Sequence, residues 1–318
     1  MIIVDLEAHF LTLEFADYIR ITSETRGLPR GSGQEIFDLG KGRLKAMDEA
    51  GIDVQVLSLA TGHIQMLEPS EGIAWSRKIN NELSIAINKY KSRFIGLATV
   101  APQSPGEAAD ELERAVTELD LKGVCIQSHA RNEYLDDRKY WVIFERAEKL
   151  DVPIYMHPSF PSTAILKPFA DYGFPFTGPA LGFAADLSLH VMRLIHSGLF
   201  DRYPKLKIIL GHLGEGLPFS LCRLDFAWLK SWVPRKPAIE KKPSEYLKTN
   251  FTITTSGMFF QPAFLCAYLA LGADRMGFAV DYPMENNEEA VKFLKEAPIC
   301  DGDKEKIYHL NAEKLFKL

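Results

Sequence analysis

Short runs of apolar, often β-branched residues recur along the chain and alternate with longer amphipathic stretches. The runs contain few polar positions, which is typical of strands that are buried on both faces of a parallel sheet. Eight strands are predicted, at residues 2–6, 54–59, 95–100, 123–127, 153–156, 207–210, 251–254 and 276–280.

The stretches between the strands carry apolar residues at helical spacing. Residues 106–119 place Ala108, Leu112 and Ala115 on one face, and residues 139–150, 287–294 and 304–318 are also predicted helices. Repeated strand–helix alternation favours an α/β fold, a (β/α)₈ TIM barrel, with a doubly wound open sheet as the main alternative. We expect residues 1–318 to form a single barrel domain.

Two irregular stretches, residues 22–34 and 159–182, interrupt this alternation. Strand–helix units resume on both sides of each, so neither stretch is interpreted as a linker between domains. Long loops that follow barrel strands usually form the rim of an active site. We therefore expect the Phe-rich loop at 159–182 to border a binding site.

Composition excludes several other classes of protein. The formal net charge of −5 gives no broad basic surface, so nucleic acid is not an expected partner. No apolar stretch has membrane-spanning length and no signal peptide is recognisable, so no membrane partner is expected. The four cysteines show no CxxC pairing, which favours a reducing, cytoplasmic location.

Polar residues follow several predicted strands directly. Glu7 and His9 follow the first strand, and His157, His212 and Asp281 follow the fifth, sixth and last. The carboxyl ends of the strands form the catalytic face of a barrel, and residues two apart on a strand point the same way.

Glu7, His9, His157 and Asp281 together predict a site for one divalent ion, Mn²⁺ or Zn²⁺, with an open position for substrate or water. Taken singly, His157 also fits a hydrogen-bonded structural histidine, and Asp281 fits a helix N-cap.

Further candidates lie beside this set. His212 and Glu215 are three residues apart and could relay a proton, although Glu215 also fits a carboxylate in the first turn of a helix. Arg223, two turns further on, fits either a substrate carboxylate or a surface ion pair. His129 follows the fourth strand and could reach the pocket, whereas the remaining histidines are predicted to be structural or solvated.

Ordered motifs along nearly the whole chain carry a family resemblance. They are EAHF (7–10), RLKAMDEAGID (43–53), RFIGLATVAP (93–102), KGVCIQSH (122–129), IYMHP (154–158), residues 201–223, DYP (281–283) and NAEKLFKL (311–318). The chain resembles the decarboxylases of the metal-dependent hydrolase (amidohydrolase) superfamily. This group includes γ-resorcylate (2,6-dihydroxybenzoate), 5-carboxyvanillate and aminocarboxymuconate semialdehyde decarboxylases.

The resemblance implies a one-metal enzyme. Glu7 stands where many members of the superfamily have the first histidine of His-x-His, and Gln127-Ser128-His129 follows strand four where they have a bridging lysine. Met284 stands where close relatives often have an aromatic residue, so the exact aromatic substrate stays open.

The implied reaction is non-oxidative decarboxylation of a small hydroxylated aromatic acid, such as a dihydroxybenzoate, by a carboxy-lyase. Asp281 would protonate the ring carbon with help from His212 and Glu215. Arg223 and His129 would bind the substrate, while Phe10 and the loop near Phe174–Phe176 would wall its ring. Relatives also imply a homodimer or homotetramer.

Two other functions remain open on the residues alone. A hydrolase of lactonase or amidohydrolase type would use the same ligands, a metal-bound hydroxide and Asp281 as base. A barrel that is merely stabilised by its metal would need no catalytic residue. Release of carbon dioxide separates the decarboxylase from both.

Overall fold

The predicted strands are present and all of them pair in parallel. The computed structural model describes residues 2–22, 33–60, 62–230 and 239–318. Its strands are β1 (Val4–Phe10), β2 (Val54–Leu59), β3 (Phe94–Gly96), β4 (Ala98–Thr99), β5 (Val124–Gln127), β6 (Ile154–His157), β7 (Ile208–Leu210), β8 (Phe251–Thr254) and β9 (Met276–Gly277). The third predicted strand is divided at Leu97, which gives two short strands instead of one.

The strands close into a barrel. Their order is β1-β2-β3 in one sheet and β4-β5-β6-β7-β8-β9 in the other. Leu97 joins the two sheets, because its amide donates to the carbonyl of Leu57 at 2.9 Å. At the other seam, Leu6 N donates to Phe278 O at 2.9 Å. The predicted (β/α)₈ barrel is confirmed, and the open-sheet alternative is excluded because β1 hydrogen-bonds to the segment that directly follows β9.

Helices surround the barrel. They are α1 (Leu13–Thr22), α2 (Lys41–Ala50), α3 (Pro69–Lys89), α4 (Pro105–Thr117), α5 (Trp141–Leu150), α6 (Thr163–Leu166), α7 (Gly182–His196), α8 (Leu199–Arg202), α9 (His212–Glu215), α10 (Leu217–Leu229), α11 (Pro243–Asn250), α12 (Gln261–Leu271), α13 (Asn287–Lys295), α14 (Asp301–Glu305) and α15 (Asn311–Phe316). Short 3₁₀ or π turns occupy Gln34–Phe37, Gly62–Met66, Arg138–Tyr140, Lys167–Tyr172, Phe176–Ala180, Ala273–Arg275 and Lys306–Leu310.

The predicted helices are confirmed with small changes at their ends. In α4, Pro105 occupies the first turn, where its missing N–H costs nothing, and Ala108, Leu112 and Ala115 are buried against the core. The predicted terminal helix at 304–318 is divided by the π turn Lys306–Leu310. Most of the predicted loop at 22–34 lies outside the described residues. No described helix is both long and apolar enough to cross a membrane.

The apolar core has two parts. The larger part lies between the strands and the helices and includes Ala8 and Phe10 of β1. The smaller part fills the barrel with one or two side chains from most strands, for example Val4, Leu6, Val56, Tyr155 and Ile209. Ala312 and Phe316 of α15 pack against this interior cluster. Burying one such aliphatic side chain contributes about 1.5–3 kcal/mol.

A β-bulge in β1 prepares the site. The pairing register with β2 shifts between Asp5 and Ala8, so that Leu6 and Glu7 together span the place of one residue of β2. The extra residue interrupts the two-residue alternation. As a result, Leu6 packs in the barrel interior, and Glu7 and His9 also point inward above it.

Candidate metal centre

Four side chains from three strand ends meet at the carboxyl end of the barrel. Glu7 and His9 come from β1, His157 ends β6, and Asp281 follows the last strand. One ligand atom of each lies within 4.8 Å of the others. The structure therefore brings together the four residues that the sequence predicts as ligands.

The donor atoms face one another at short range. His9 Nε2 lies 3.0 Å from Asp281 Oδ1, and His157 Nε2 lies 3.1 Å from Glu7 Oε1. Glu7 and His9 are each only 1% exposed. Within the described part of the chain, Glu7 Oε1 and His9 Nε2 are buried without a hydrogen bond of good geometry.

This arrangement fits a divalent cation. Buried polar atoms normally have hydrogen-bond partners, and an exception needs an explanation such as an ion. Two imidazole nitrogens and two carboxylates form a mixed N/O set that suits Zn²⁺ or Mn²⁺. A cation among them would satisfy the atoms that the protein leaves unpaired.

Neighbouring polar groups orient the ligands. The other ring nitrogen of His9 contacts Ser58 Oγ at 3.1 Å, and that of His157 contacts Gln127 Oε1 at 3.1 Å. The Tyr155 hydroxyl donates to Glu7 Oε2. Such partners fix which imidazole nitrogen faces the ion.

The hydrophobic and polar pattern of the sequence did not select Ser58, Gln127 and Tyr155 as supports of the site. A signal was available, because each is a polar or hydroxyl-bearing residue within a predominantly apolar predicted strand. Their contacts depend on how neighbouring strands are aligned, however, and only the structure reveals that alignment.

His212 and Glu215 form a pair beside Asp281. His212 Nδ1 lies 2.7 Å from Glu215 Oε1, and His212 Nε2 lies 3.7 Å from Asp281 Oδ2. The three residues thus form a line that a proton could follow towards the cluster. Glu215 is buried and contacts His212 directly, which a role as a first-turn carboxylate alone does not require.

An unusual backbone turn creates this line. His212, Leu213 and Glu215 have φ values of 51°, 52° and 53°, and Gly214 and Gly216 are also left-handed. Left-handed backbone costs roughly 1–2 kcal/mol for each residue other than glycine. Such strain is retained mainly at functional sites.

Asp281 also has a left-handed backbone, and its side chain lies close to a glycine. Its φ is 77°, and its amide donates to Glu7 O at 2.9 Å. A Cβ on Gly257 would lie 3.2 Å from His212 Cδ2 and 3.6 Å from Asp281 Oδ2. Glycine at 257 therefore lets the backbone pass close to both side chains.

Burial and charge oppose each other in the cluster. Burial raises the pKa of Glu7, but the imidazoles of His157 and His212 outweigh burial and hold that pKa well below its usual range. Burial lowers the pKa of His9, but Asp281 and Glu7 raise it to about 9. The imidazoles thus respond to the concentrated negative charge of the carboxylates, which a bound cation would also neutralise.

Burial and charge also oppose each other at His212 and Asp281. Burial lowers the pKa of His212, but Glu215 and Asp281 hold it well above its usual range. Burial raises the pKa of Asp281, but His212 and His9 outweigh burial and lower it. His212 is therefore the favoured place for a proton within this line.

None of the three predicted substrate contacts belongs to the four-residue cluster. Phe10 is fully buried on the opposite face of β1 from His9, in the core between strands and helices. Arg223 is exposed on α10, with its guanidinium 5.5 Å from the centre of the Phe226 ring. His129 contacts Phe160 O at 2.9 Å and accepts from Asn132 N at 3.2 Å, so both ring nitrogens have partners in loops.

The Phe-rich loop follows His157 as predicted. Phe160 and Phe174 are in ring contact at 5.5 Å, and both are partly exposed, as is Phe176. Accessible aromatic faces are typical of a pocket that takes a flat ring. That these rings border the site stays a prediction.

Known proteins support the same conclusions. The amidohydrolase family model matches residues 4–318. γ-Resorcylate decarboxylase of Polaromonas sp. is 38% identical over 292 residues, which cover 89% of this chain and 89% of that protein. Among solved structures, 5-carboxyvanillate decarboxylase LigW from Sphingomonas paucimobilis has a TM-score of 0.94 and 34% identity, covering 100% of this chain and 99% of that one.

A second solved structure contains a metal. The dihydroxybenzoic acid decarboxylase of Polaromonas sp. JS666, with bound manganese and the inhibitor 2-nitroresorcinol, has a TM-score of 0.91 and 35% identity. It covers 100% of this chain and 97% of that one. The resemblance predicted from the motifs is confirmed. Fold, length and sequence agree over the matched region, and the chain therefore belongs to the amidohydrolase family.

Proposed function

We propose that this protein is a metal-dependent decarboxylase, a carboxy-lyase that removes carbon dioxide from a hydroxylated aromatic acid such as a dihydroxybenzoate. The observation that carries the proposal is the buried cluster of Glu7, His9, His157 and Asp281, with unpaired atoms facing one another beside the His212–Glu215 pair. The decarboxylase names of its relatives support the reaction class.

The four clustered residues would hold one divalent ion. Manganese is favoured because the relative from Polaromonas sp. JS666 holds that metal, and zinc is the alternative that the donor set also suits. The bound ion would supply positive charge for the substrate carboxylate and the adjacent phenolic oxygen. Ser58 and Gln127 would keep Nε2 of His9 and His157 directed at it.

The protein's own side chains would then transfer one proton to the substrate. Protonation of the ring carbon that carries the carboxylate converts the adjacent ortho hydroxyl to a ketone. The bond between that carbon and the carboxylate then breaks, carbon dioxide leaves, and the ketonised ring accepts the electron pair. Asp281 delivers the proton, and His212, held by Glu215, returns one to Asp281 Oδ2 across the 3.7 Å gap.

Other parts of the proposal rest on resemblance more than on geometry. Arg223 and His129 stay predicted substrate contacts, whereas Phe10 is buried in the core on the other face of β1. A homodimer or homotetramer, a cytoplasmic location and a single domain over residues 1–318 also stay predictions.

Turnover with a panel of acids tests the proposal. Manganese-loaded protein is incubated with 2,6-dihydroxybenzoate, its isomers and 5-carboxyvanillate in D₂O, and carbon dioxide and the phenol are measured. We expect one deuterium at the carbon that lost the carboxylate. Asp281→Asn should lower turnover by about 10²–10⁴-fold, the usual contribution of a general acid.

The control is the metal content of each sample, measured by elemental analysis. If metal-loaded protein releases no carbon dioxide from any acid in the panel, the decarboxylase proposal is wrong. If it instead converts lactones to acids without carbon dioxide, the hydrolase is the correct alternative.

A further inference from the structure

A chain of three buried polar side chains runs beneath the metal centre. Arg43 Nη1 donates to Gln55 Oε1 at 3.3 Å, and Gln55 Nε2 donates to Asp5 Oδ2 at 3.0 Å. Arg43, Gln55 and Asp5 are each at most 1% exposed. Polar groups so deeply buried are costly unless their geometry is good, so the chain needs an explanation.

Both ends of this hydrogen-bonded chain of side chains contact the backbone that carries the predicted metal ligands. Asp5 Oδ1 accepts from Glu7 N at 3.1 Å and from Val280 N at 2.9 Å. Val280 immediately precedes Asp281. One carboxylate oxygen therefore ties the bulge of β1 to the segment that follows the last strand, across the seam that closes the barrel.

The other end holds the second ligand of β1. Arg43 Nη2 donates to His9 O at 2.6 Å, and Arg43 Nε donates to Asp38 O at 2.7 Å. The same guanidinium lies 4.9 Å from the centre of the Tyr282 ring, next to Asp281. Arg43 thus contacts both chain segments that supply carboxylate and imidazole ligands.

We propose that Asp5, Gln55 and Arg43 are positioning residues that fix the β1 bulge and set the distances between Glu7, His9 and Asp281. The inference rests on the proposed metal site. It adds three residues that the sequence motifs did not mark as functional. The chain fixes backbone positions, so its loss should weaken metal binding even when the fold survives.

The direction of the hydrogen bonds suggests a reciprocal test. Arg43 can only donate, so Gln55 must present its oxygen to Arg43 and its NH₂ to Asp5. Asp5→Asn places an NH₂ group against that NH₂, and turning the Gln55 amide only moves the mismatch to Arg43. Gln55→Glu accepts from both sides, so the double variant Asp5→Asn/Gln55→Glu restores the chain and keeps one negative charge.

Metal affinity is measured on metal-free protein by titration with Mn²⁺, followed by electron paramagnetic resonance, alongside thermal unfolding. We expect Asp5→Asn to bind Mn²⁺ about 10–100-fold more weakly, the usual cost of losing a group that supports a ligand. The double variant should return to within a few-fold of wild type. Asp186→Asn is the matched control, because it makes the same change at a buried carboxylate outside the cluster.

Each outcome bears on the inference. Unchanged Mn²⁺ affinity in Asp5→Asn, or a folded double variant that stays weak, overturns it. If Asp5→Asn does not fold, Gln55→Glu alone opposes two carboxylates and is compared with the same double variant. Wild-type protein that binds no Mn²⁺ overturns the proposed metal site itself, which this comparison of variants distinguishes from failure of the positioning chain.

Discussion

Two buried carboxylate clusters occupy this end of the barrel, and they differ in how their oxygens are satisfied. Asp186 on α7 is fully buried, and it accepts from the Tyr134 hydroxyl at 2.6 Å, from Ser162 N at 3.1 Å and from the Ser128 hydroxyl. Glu7 is equally buried, but among the described residues only its Oε2 has a hydrogen-bond donor, the hydroxyl of Tyr155.

The difference separates a structural cluster from a binding cluster. Both oxygens of Asp186 are used to join α7 to two loops, at residues 128–137 and 158–162, so a cation would have to displace donors that are already well placed. Around Glu7, unpaired acceptors and imidazole nitrogens converge instead, and a bound cation would satisfy these unpaired atoms. Burial alone does not distinguish the two clusters, whereas hydrogen-bond accounting does.

Removing one imidazole from the binding cluster should have the largest effect. We expect His157→Ala to lose its metal and to fall to background turnover, by more than the roughly 100-fold that marks loss of a group behind a ligand. Elemental analysis after dialysis against trace metal, followed by the carbon dioxide assay, measures both effects.

The control is a different histidine, one that lies in a helix. His196 contacts Met192 O at 2.7 Å and lies outside the cluster, so His196→Ala should keep metal and activity. Full metal retention in His157→Ala would remove that residue from the ligand set, and the comparison between the two clusters would then fail.

Most of the fold could be predicted because each barrel strand carries its own signal. The bounds 54–59 and 251–254 agree with β2 and β8. The third predicted strand differs because the backbone at Leu97 changes partners from one sheet to the other. A hydrophobic run reveals that a segment is buried, but it does not reveal such a change of partner.

The site was predictable only as far as position along a strand determines it. Glu7, His9, His157 and Asp281 could be selected because polar residues at strand ends meet in a barrel. Phe10 could have been assigned to the other face by the same alternation that pairs Glu7 with His9. The supports Asp5 and Arg43 depend on the bulge and on contacts over long sequence distances, which periodicity does not encode.

A smaller effect, and of a different kind, should follow from changing the structural cluster. Asp186→Asn replaces an acceptor with a donor that faces the hydroxyl of Ser128 or Tyr134. Because hydrogen bonds to charged groups contribute about 1.5–3 kcal/mol, we expect a loss of that order in the free energy of unfolding. Urea unfolding measures this loss, and Mn²⁺ affinity should change less than about twofold, since no metal ligand is touched. A tenfold loss of Mn²⁺ affinity would mean that the two clusters are coupled.

The smallest effect concerns acid, and it comes from a histidine packed in the structural cluster. His190 is fully buried, and its Nε2 accepts from Leu135 N at 3.0 Å, which requires an unprotonated nitrogen. Burial is the main cause that lowers its pKa to about 3; Arg193 and His129 act in the same direction, and Asp186 opposes them.

The unfolded chain therefore binds a proton on this histidine at a pH where the folded protein does not. The stabilising contribution of neutral His190 is complete above the ordinary pKa of 6.5 and is lost progressively as the pH falls towards about 3. One proton corresponds to about 1.4 kcal/mol per pH unit, so metal-free wild type should lose about 2 kcal/mol more than His190→Gln between pH 6.5 and 5. The amide oxygen that this substitution introduces can still accept from Leu135 N, but the amide cannot be protonated in this range. If the free energies of unfolding of the two proteins change in parallel with pH, the fold does not keep His190 neutral. The structural cluster would then also contain a group that changes its charge in acid.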